Sequence, residues 1–208
     1  RTSMPMKALA FNCTLKSAKD GETSSTDALL RQLGAELRKL DVETEIIRAV
    51  DHDIKPGTDH DMGSGDSWPA LREKLLSSDI LVMATPVWLG QPSSVAKRVL
   101  ERIDAFIEEL DDKNRMKTFG KVGSVDVVGN EDGAHHVAAE IYQALNDPGF
   151  SLPPTAVTYW VGEAMTGKEY SEFDKPPEKV ATATAMAAAG AAHLAKVLKA
   201  NPYLGSKA

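Results

Sequence analysis

The sequence predicts an α/β protein built on a five-stranded parallel sheet with helices on both faces. Three observations predict it. Five short strand-like runs alternate along the chain with five stretches of helical character, the order produced by parallel strands joined through helical crossovers. No internal repeat or low-complexity linker interrupts that alternation, and 208 residues of 42% hydrophobic content suit one domain, residues 1–208, of the larger single-core size. The third is a loop, Ala84-Thr85-Pro86-Val87-Trp88-Leu89-Gly90-Gln91-Pro92-Ser93-Ser94, that follows the third strand. The C-terminal ends of strands are where open α/β sheets bind ligands.

The elements follow in order. Met6 to Asn12 reads as the first strand. Thr26 to Leu40 carries Leu29, Leu30, Leu33 and Leu37 at helical spacing. Val42 to Arg48 is the second strand, with β-branched Val42, Thr44, Ile46 and Ile47. Asp51 to Ser67 is a polar stretch longer than most connections, and such loops are often functional. Its Asp51-His52-Asp53 and Asp59-His60-Asp61 contain zinc-ligand residue types, but one polar loop reads as solvated surface, and no metal is assigned. Trp68 to Leu76 is a short helix with Pro69 in its first turn. Asp79 to Ala84 is the third strand. Ser94 to Leu110 is the third helix, with Lys97, Arg98 and Arg102 on a polar or subunit-facing side. Lys121 to Gly129 is the fourth strand, and Ala134 to Leu145 the fourth helix, stopped by Asp147-Pro148-Gly149. Thr155 to Val161 is the fifth strand. Of its Tyr159 and Trp160, one faces the core and the other a crevice or a neighbouring subunit. A polar loop, Gly162 to Pro177, leads into an alanine-rich helix from Glu178 to Ala200, whose small side chains allow close approach to a sheet or partner helix.

Bulk properties exclude several classes. A net charge of -6 and a pI near 5.4 lack the basic footprint of a nucleic-acid binder. No apolar run reaches the roughly 20 residues that span a bilayer, and the N-terminus lacks the long apolar segment of a signal peptide. Arg1-Thr2-Ser3 ahead of Met4 reads as an expression scar, with Met4 or Met6 the native start. The one cysteine, Cys13, forms no internal disulfide, which points to a reducing, cytoplasmic location. It also excludes a Cys-ligated iron–sulfur cluster, and it reads as a packing residue in preference to a nucleophile.

Three loops carry the functional signal. The first, Cys13 to Thr26, has neither a GxGxxG fingerprint nor a phosphate-binding P-loop, but is dense in hydroxyls and holds Lys16 and Lys19. Hydroxyls at a helix N-terminus suit a phosphate; they equally suit helix capping by Ser24, Ser25 or Thr26. The second is the Pro86–Gly90 loop, where prolines and a glycine fix the backbone and Trp88 offers a broad apolar face. The third follows the fourth strand, Val128 to His136, with glycines that permit close backbone approach. In a flavodoxin-like strand order of 2-1-3-4-5, FMN sits at the switch between strands 1 and 3, beside these loops.

On these residues the chain resembles the NAD(P)H-dependent FMN reductase family of flavodoxin-like flavoproteins, which includes NAD(P)H:quinone reductases of the Trp-repressor-binding-protein type. The resemblance covers nearly the whole chain. It rests on the hydroxyl-rich first loop, on Thr85-Pro86-Val87-Trp88-Leu89-Gly90 with Ser93, Ser94 and Lys97, and on Gly129-Asn130-Glu131-Asp132-Gly133. Cys13-Thr14-Leu15-Lys16 stands where relatives often have Gly-Ser-Pro-Arg or Gly-Ser-Leu-Arg. The resemblance implies that Thr14, Lys16, Ser24, Ser25 and Thr26 surround an FMN phosphate. Pro86, Val87, Trp88, Leu89 and Gly90 would line the isoalloxazine. Gly129, Asn130, Glu131, Asp132 and Gly133 would close its other side, with His136 reaching the same edge. It further implies NADPH or NADH as co-substrate, a small-molecule electron acceptor, a homodimer or homotetramer, and chemistry at the flavin without a protein acid–base catalyst. The competing class is a flavodoxin-like electron carrier or flavin-binding protein without nicotinamide activity.

Overall fold

The computed structural model describes residues 5–165 and 167–206; the expression-scar reading of residues 1–3 lies outside them. Five parallel strands form the main sheet: β1 (Met6–Asn12), β2 (Val42–Arg48), β3 (Ile80–Trp88), β5 (Val122–Gly129) and β6 (Val157–Val161). They lie in the order β2-β1-β3-β5-β6, with a two-residue strand β4 (Gln91–Pro92) paired antiparallel to the end of β3. Setting β4 aside, this is the 2-1-3-4-5 order expected from the sequence. Five helices flank it: α1 (Ser25–Arg38), α2 (Trp68–Leu76), α3 (Ser94–Ile103), α4 (Ala134–Asn146) and α5 (Glu178–Ala200). No helix among the described residues is long and apolar enough to cross a membrane.

Alternation along the strands divides the core in two. Leu9, Phe11, Leu81, Met83, Val125 and Val127 face α2, α3 and α4. Ala8, Ala10, Val82 and Ala84 face α1 and α5. On that second face the alanines of the sheet meet Ala187, Ala188, Ala191 and Ala195 of α5, all buried. The small side chains of α5 therefore serve close helix-on-sheet packing.

Most boundaries shift by one or two residues from the sequence reading, and two shift further. β3 continues past Ala84 to Trp88, through Pro86. The Ala84 carbonyl accepts the Cys13 amide, so the bonding groups of residue 84, and of residue 86 two positions on, face β1. β1 pairs with β3 only as far as Asn12 opposite Ala84, so the missing N–H of Pro86 faces a side where the sheet has ended. The third helix, expected to reach Leu110, stops at Ile103 and tightens into a 3-10 turn, Asp104–Ile107. Asp104, Glu108, Glu109 and Asp111 crowd that end, where the helix dipole disfavours acids.

Arg102, expected on a polar or subunit-facing side of its helix, is fully buried. Its guanidinium makes a two-pronged ion pair with Asp66 at 2.7 and 3.0 Å. It also donates to the carbonyls of Asp59 and Lys55 and lies over the Trp68 ring. Burial opposes ionisation of Asp66, but Arg102 and the amides of Met62, Trp68 and Lys55 outweigh it and hold the carboxyl far below its ordinary range. This cation pins the long 51–67 loop to the body. His60 of the same loop turns outward to Glu109 at 3.3 Å.

Candidate functional site

At the C-terminal ends of β1, β3 and β5 lies a cleft of about 480 Å³. Its first wall follows β1. The Asn12 side chain, fully buried, accepts the Thr14 amide at 3.0 Å, and Thr14 Oγ1 accepts the Lys16 amide at 3.2 Å. These bonds fold residues 12–16 into a tight turn with Thr14, Leu15 and Lys16 on the cleft. The rest of the loop is tied away from it. Asp51 accepts Ser17 Oγ at 2.5 Å and the Ala18 amide at 3.2 Å, and its backbone carbonyl takes Lys19 Nζ. The Ser17 hydroxyl, with Ala18, Lys19 and Arg48, holds the Asp51 carboxyl below its ordinary value against a desolvation cost. Ser24 caps α1, accepting the Asp27 amide at 3.1 Å, and does not line the cleft; Ser25 and Thr26 in the first turn do.

The second wall is the β3–β4 hairpin. Its two-residue turn, Leu89-Gly90, has positive φ at both positions, 53° and 72°, as a type I′ hairpin turn requires. Ser93 locks this hairpin to the first loop: its hydroxyl donates to the Cys13 carbonyl at 2.6 Å and caps α3 at the Ala96 amide, while its own amide donates to Thr85 Oγ1. Pro86, Val87, Trp88 and Leu89 line the cleft. Trp88 is 52% exposed, so its ring is available to a ligand instead of filling the core. Cys13 is buried with its thiol pushed up by desolvation, in keeping with packing and not nucleophilic attack.

The third wall follows β5 and presents Val128, Gly129, Asn130 and Glu131. Close contact with the hairpin explains its glycines. A Cβ on Gly129 would stand 2.9 Å from Val87 Cβ, and one on Gly133, whose φ is +134°, would stand 3.0 Å from Gly90 Cα. Glu131 Oε1 accepts the Gly90 amide at 3.4 Å. Gly90 and Gly133 thus shape the wall from behind, and neither they nor Asp132 line the cleft. His136 is not among the residues that line the cleft; it lies 3.1 Å from Gln91 Nε2 and 2.9 Å from Glu140.

A fourth wall carries no motif in the sequence. Ala164, Met165 and Glu169 line the cleft from the polar segment after β6. Trp160, Tyr170 and Phe173 anchor that segment as an aromatic cluster, with ring centroids 5.4 to 6.0 Å apart, and the Tyr170 hydroxyl donates to Gln32. This settles the β6 pair: Trp160 packs in that cluster, while Tyr159 lies partly exposed against His135. Glu169 reaches back across the cleft. One carboxylate oxygen accepts Asn130 Nδ2 at 3.0 Å and the other accepts Ser25 Oγ at 3.1 Å. The buried Asn130 Oδ1 has no hydrogen-bond partner among the described residues.

The cleft therefore has two poles. One gathers the hydroxyls of Thr14, Ser25 and Thr26 at the start of α1, where free amides and the helix dipole favour an anion. The other offers Trp88, Val87 and Pro86 to a flat apolar group. Beneath the third wall, Asp126 of β5 is fully buried with neither oxygen hydrogen-bonded among the described residues, and burial pushes its carboxyl well above the ordinary range.

A sequence model of the NADPH-dependent FMN reductase family matches residues 6–164. Two curated proteins are similar. The divalent metal cation transporter MntH of Mycobacterium bovis is 39% identical over 169 residues, which are 79% of this chain but only 24% of that protein. The 8-demethyl-8-aminoriboflavin-5'-phosphate synthase of Streptomyces davaonensis is 36% identical over 211 residues, 96% of this chain and 81% of that protein. Among solved structures, RosB with its bound intermediate 8-demethyl-8-formylriboflavin-5'-phosphate superposes with a TM-score of 0.86 at 35% identity, covering 96% of this chain and 82% of that one.

Proposed function

From the premise that the chain belongs to the NADPH-dependent FMN reductase family, whose cofactor is FMN, we propose that it oxidises NADPH or NADH and passes the electrons to a small-molecule acceptor such as a quinone or free flavin. One observation carries this reading: a single cleft joins a hydroxyl-rich helix start to an apolar hairpin platform. The donor set fits FMN. Thr14, Ser25 and Thr26 with the first-turn amides of α1 suit the phosphate, and Lys16 adds a cation. Trp88, Val87 and Pro86 suit the ring, and the unpartnered Asn130 Oδ1 supplies an acceptor to a ligand N–H or O–H. When bound, FMN supplies the hydride acceptor and electron store that no side chain provides.

The chain's own residues then bind, orient and exclude water. Ser93 holds the two main walls in fixed relation, so ligand positioning costs little reorganisation. The cleft lining has neither histidine nor cysteine among the described residues, and we assign no side chain as proton donor. The family expectation of a homodimer or homotetramer is supported by the exposed Leu89 and Trp88 at the cleft rim, and sedimentation velocity tests it.

The identity to an aminoriboflavin-phosphate synthase over 96% of the chain favours a second reading, in which FMN itself is the substrate and leaves chemically altered. One experiment separates the two. Protein loaded with FMN is given NADPH or NADH and a quinone, with nicotinamide oxidation followed at 340 nm; in a parallel arm it is given oxygen and an amino donor, and the flavin of both arms is recovered for mass analysis. Turnover with unchanged flavin mass supports the reductase. No oxidation of either nicotinamide with any acceptor sinks it, and an altered flavin mass establishes the second reading.

A further inference from the structure

We infer that Glu169 sets the affinity of the cleft for the phosphate of its ligand, opposing the phosphate so that FMN exchanges instead of remaining locked in place. This deepens the flavin reading above and rests on it. Among the described residues, the charged side chains lining the cleft are Lys16, Glu131 and Glu169, two acids and one base before any ligand enters. Glu169 stands at the pole where the anion belongs. Its Oε2 accepts the Ser25 hydroxyl at 3.1 Å, and that hydroxyl in turn accepts the Ser171 amide at 3.2 Å. A serine hydroxyl has one proton to give. Two acceptors of the chain stand within reach of it, the Glu169 carboxylate at 3.1 Å and Ser171 Oγ at 3.3 Å, and a phosphate oxygen must compete with both. A phosphate seated on Thr14, Thr26 and the α1 amides would lie close to the Glu169 carboxylate, and like charges at such range repel appreciably even when partly solvated.

The other half of the same carboxylate has the opposite effect. Oε1 holds Asn130 Nδ2 at 3.0 Å, tying the fourth wall to the third. Glu169 thus closes the cleft around any flavin, with or without a phosphate, while its charge penalises only the phosphorylated one. Sequence reading placed no weight on Glu169, because its partners Ser25 and Asn130 lie 144 and 39 residues away.

The separation of these effects gives the test. FMN and riboflavin are titrated into the flavin-free protein and binding is read from flavin fluorescence, for the wild type, Glu169→Gln and Lys16→Gln. Glu169→Gln keeps the length of the side chain and one oxygen that can accept Asn130 Nδ2; it removes the charge and puts an N–H donor in place of the acceptor at Ser25, which frees the Ser25 proton for a phosphate. It should tighten FMN roughly tenfold relative to riboflavin, and slow FMN loss on desalting. Lys16→Gln should shift the same ratio the other way. Riboflavin binding by each variant reports that the fold and the ring pole are intact. Equal changes for both ligands in Glu169→Gln, or a weaker relative grip on FMN, overturn the inference and leave Glu169 as a structural tie. The outcome is independent of nicotinamide turnover: a shifted ratio without NADPH oxidation would remove the reductase reading alone, and failure of the wild type to bind either flavin would remove the flavin site itself.

Discussion

Two residues beside the cleft make opposite kinds of prediction. Trp88 keeps half its surface in solvent although it is the largest apolar side chain of the hairpin, so its loss should cost the ligand and spare the fold. Trp88→Ala should weaken FMN by about 1 kcal/mol, roughly fivefold, and change the flavin absorption band. Unchanged affinity and an unchanged spectrum would remove the ring from this wall. Asp126 is the reverse case, a carboxyl inside the sheet with no hydrogen-bond partner among the described residues. Burial raises its folded pKa well above the ordinary 3.8, so the native state keeps a proton that the unfolded chain releases. The unfolded state then binds fewer protons, and stability falls as pH rises above about 4, by about 1.4 kcal/mol per pH unit until the folded group itself ionises. Asp126→Asn cannot titrate and escapes this loss. Its stability relative to the wild type should climb between pH 4 and pH 7 in urea melts; a constant difference across that range would show that Asp126 is ionised or solvated in the native state.

At the scale of elements, what was legible followed local rules. Apolar spacing placed α1, a first-turn proline α2, an Asp-Pro-Gly stop the end of α4 and alanine content α5, each to within a few residues, and a β-branched run placed β2. What was hidden depended on partners distant in sequence. Pro86 looks like a loop residue, and becomes a strand residue only because β1 ends beside it. Arg102 shares a helix with Lys97 and Arg98 and looks like them, yet it is buried by a loop that begins about fifty residues earlier. The same loop supplied acids and histidines of metal-ligand type, but Asp51 accepts Ser17 and Ala18 and His60 turns to Glu109. The cleft shows the same division. The first three walls carried recognisable residue types, but the fourth, with Glu169, became visible only through contacts. Arg102→Met tests the loop. It leaves Asp66 buried without its counter-charge, so stability should fall by about 3–5 kcal/mol, and limited proteolysis should cut first within residues 53–66. A loss under 1 kcal/mol with unchanged cleavage would mean that the loop is held by other contacts. The ion pair also ties stability to acid: Asp66 is held ionised in the folded state, so its contribution is present above about pH 4 and is lost as pH falls below that.

For the whole molecule, the consequence of the cleft is that ligand and fold are coupled. The walls come from the ends of β1, β3 and β5 and from the segment leading into α5, so they span both layers of helices and exist together only when the sheet is formed. A ligand that grips all four walls binds the native state and not the unfolded chain. Its binding energy is then added to the stability of the entire fold. FMN at a hundred times its dissociation constant should add about 2.7 kcal/mol, which for a chain of this size corresponds to a rise in melting temperature of about 5–10 °C. Riboflavin at the same multiple of its own constant should give the same rise. At equal concentrations the two ligands should differ only as their affinities differ, a difference that the charge at Glu169 keeps small in the wild type and that Glu169→Gln should widen. Scanning calorimetry over a series of FMN concentrations checks this directly: the melting temperature should keep climbing with the logarithm of free FMN. A melting temperature indifferent to FMN would mean that the cleft does not close on a flavin, and would remove the site on which the oxidoreductase reading stands.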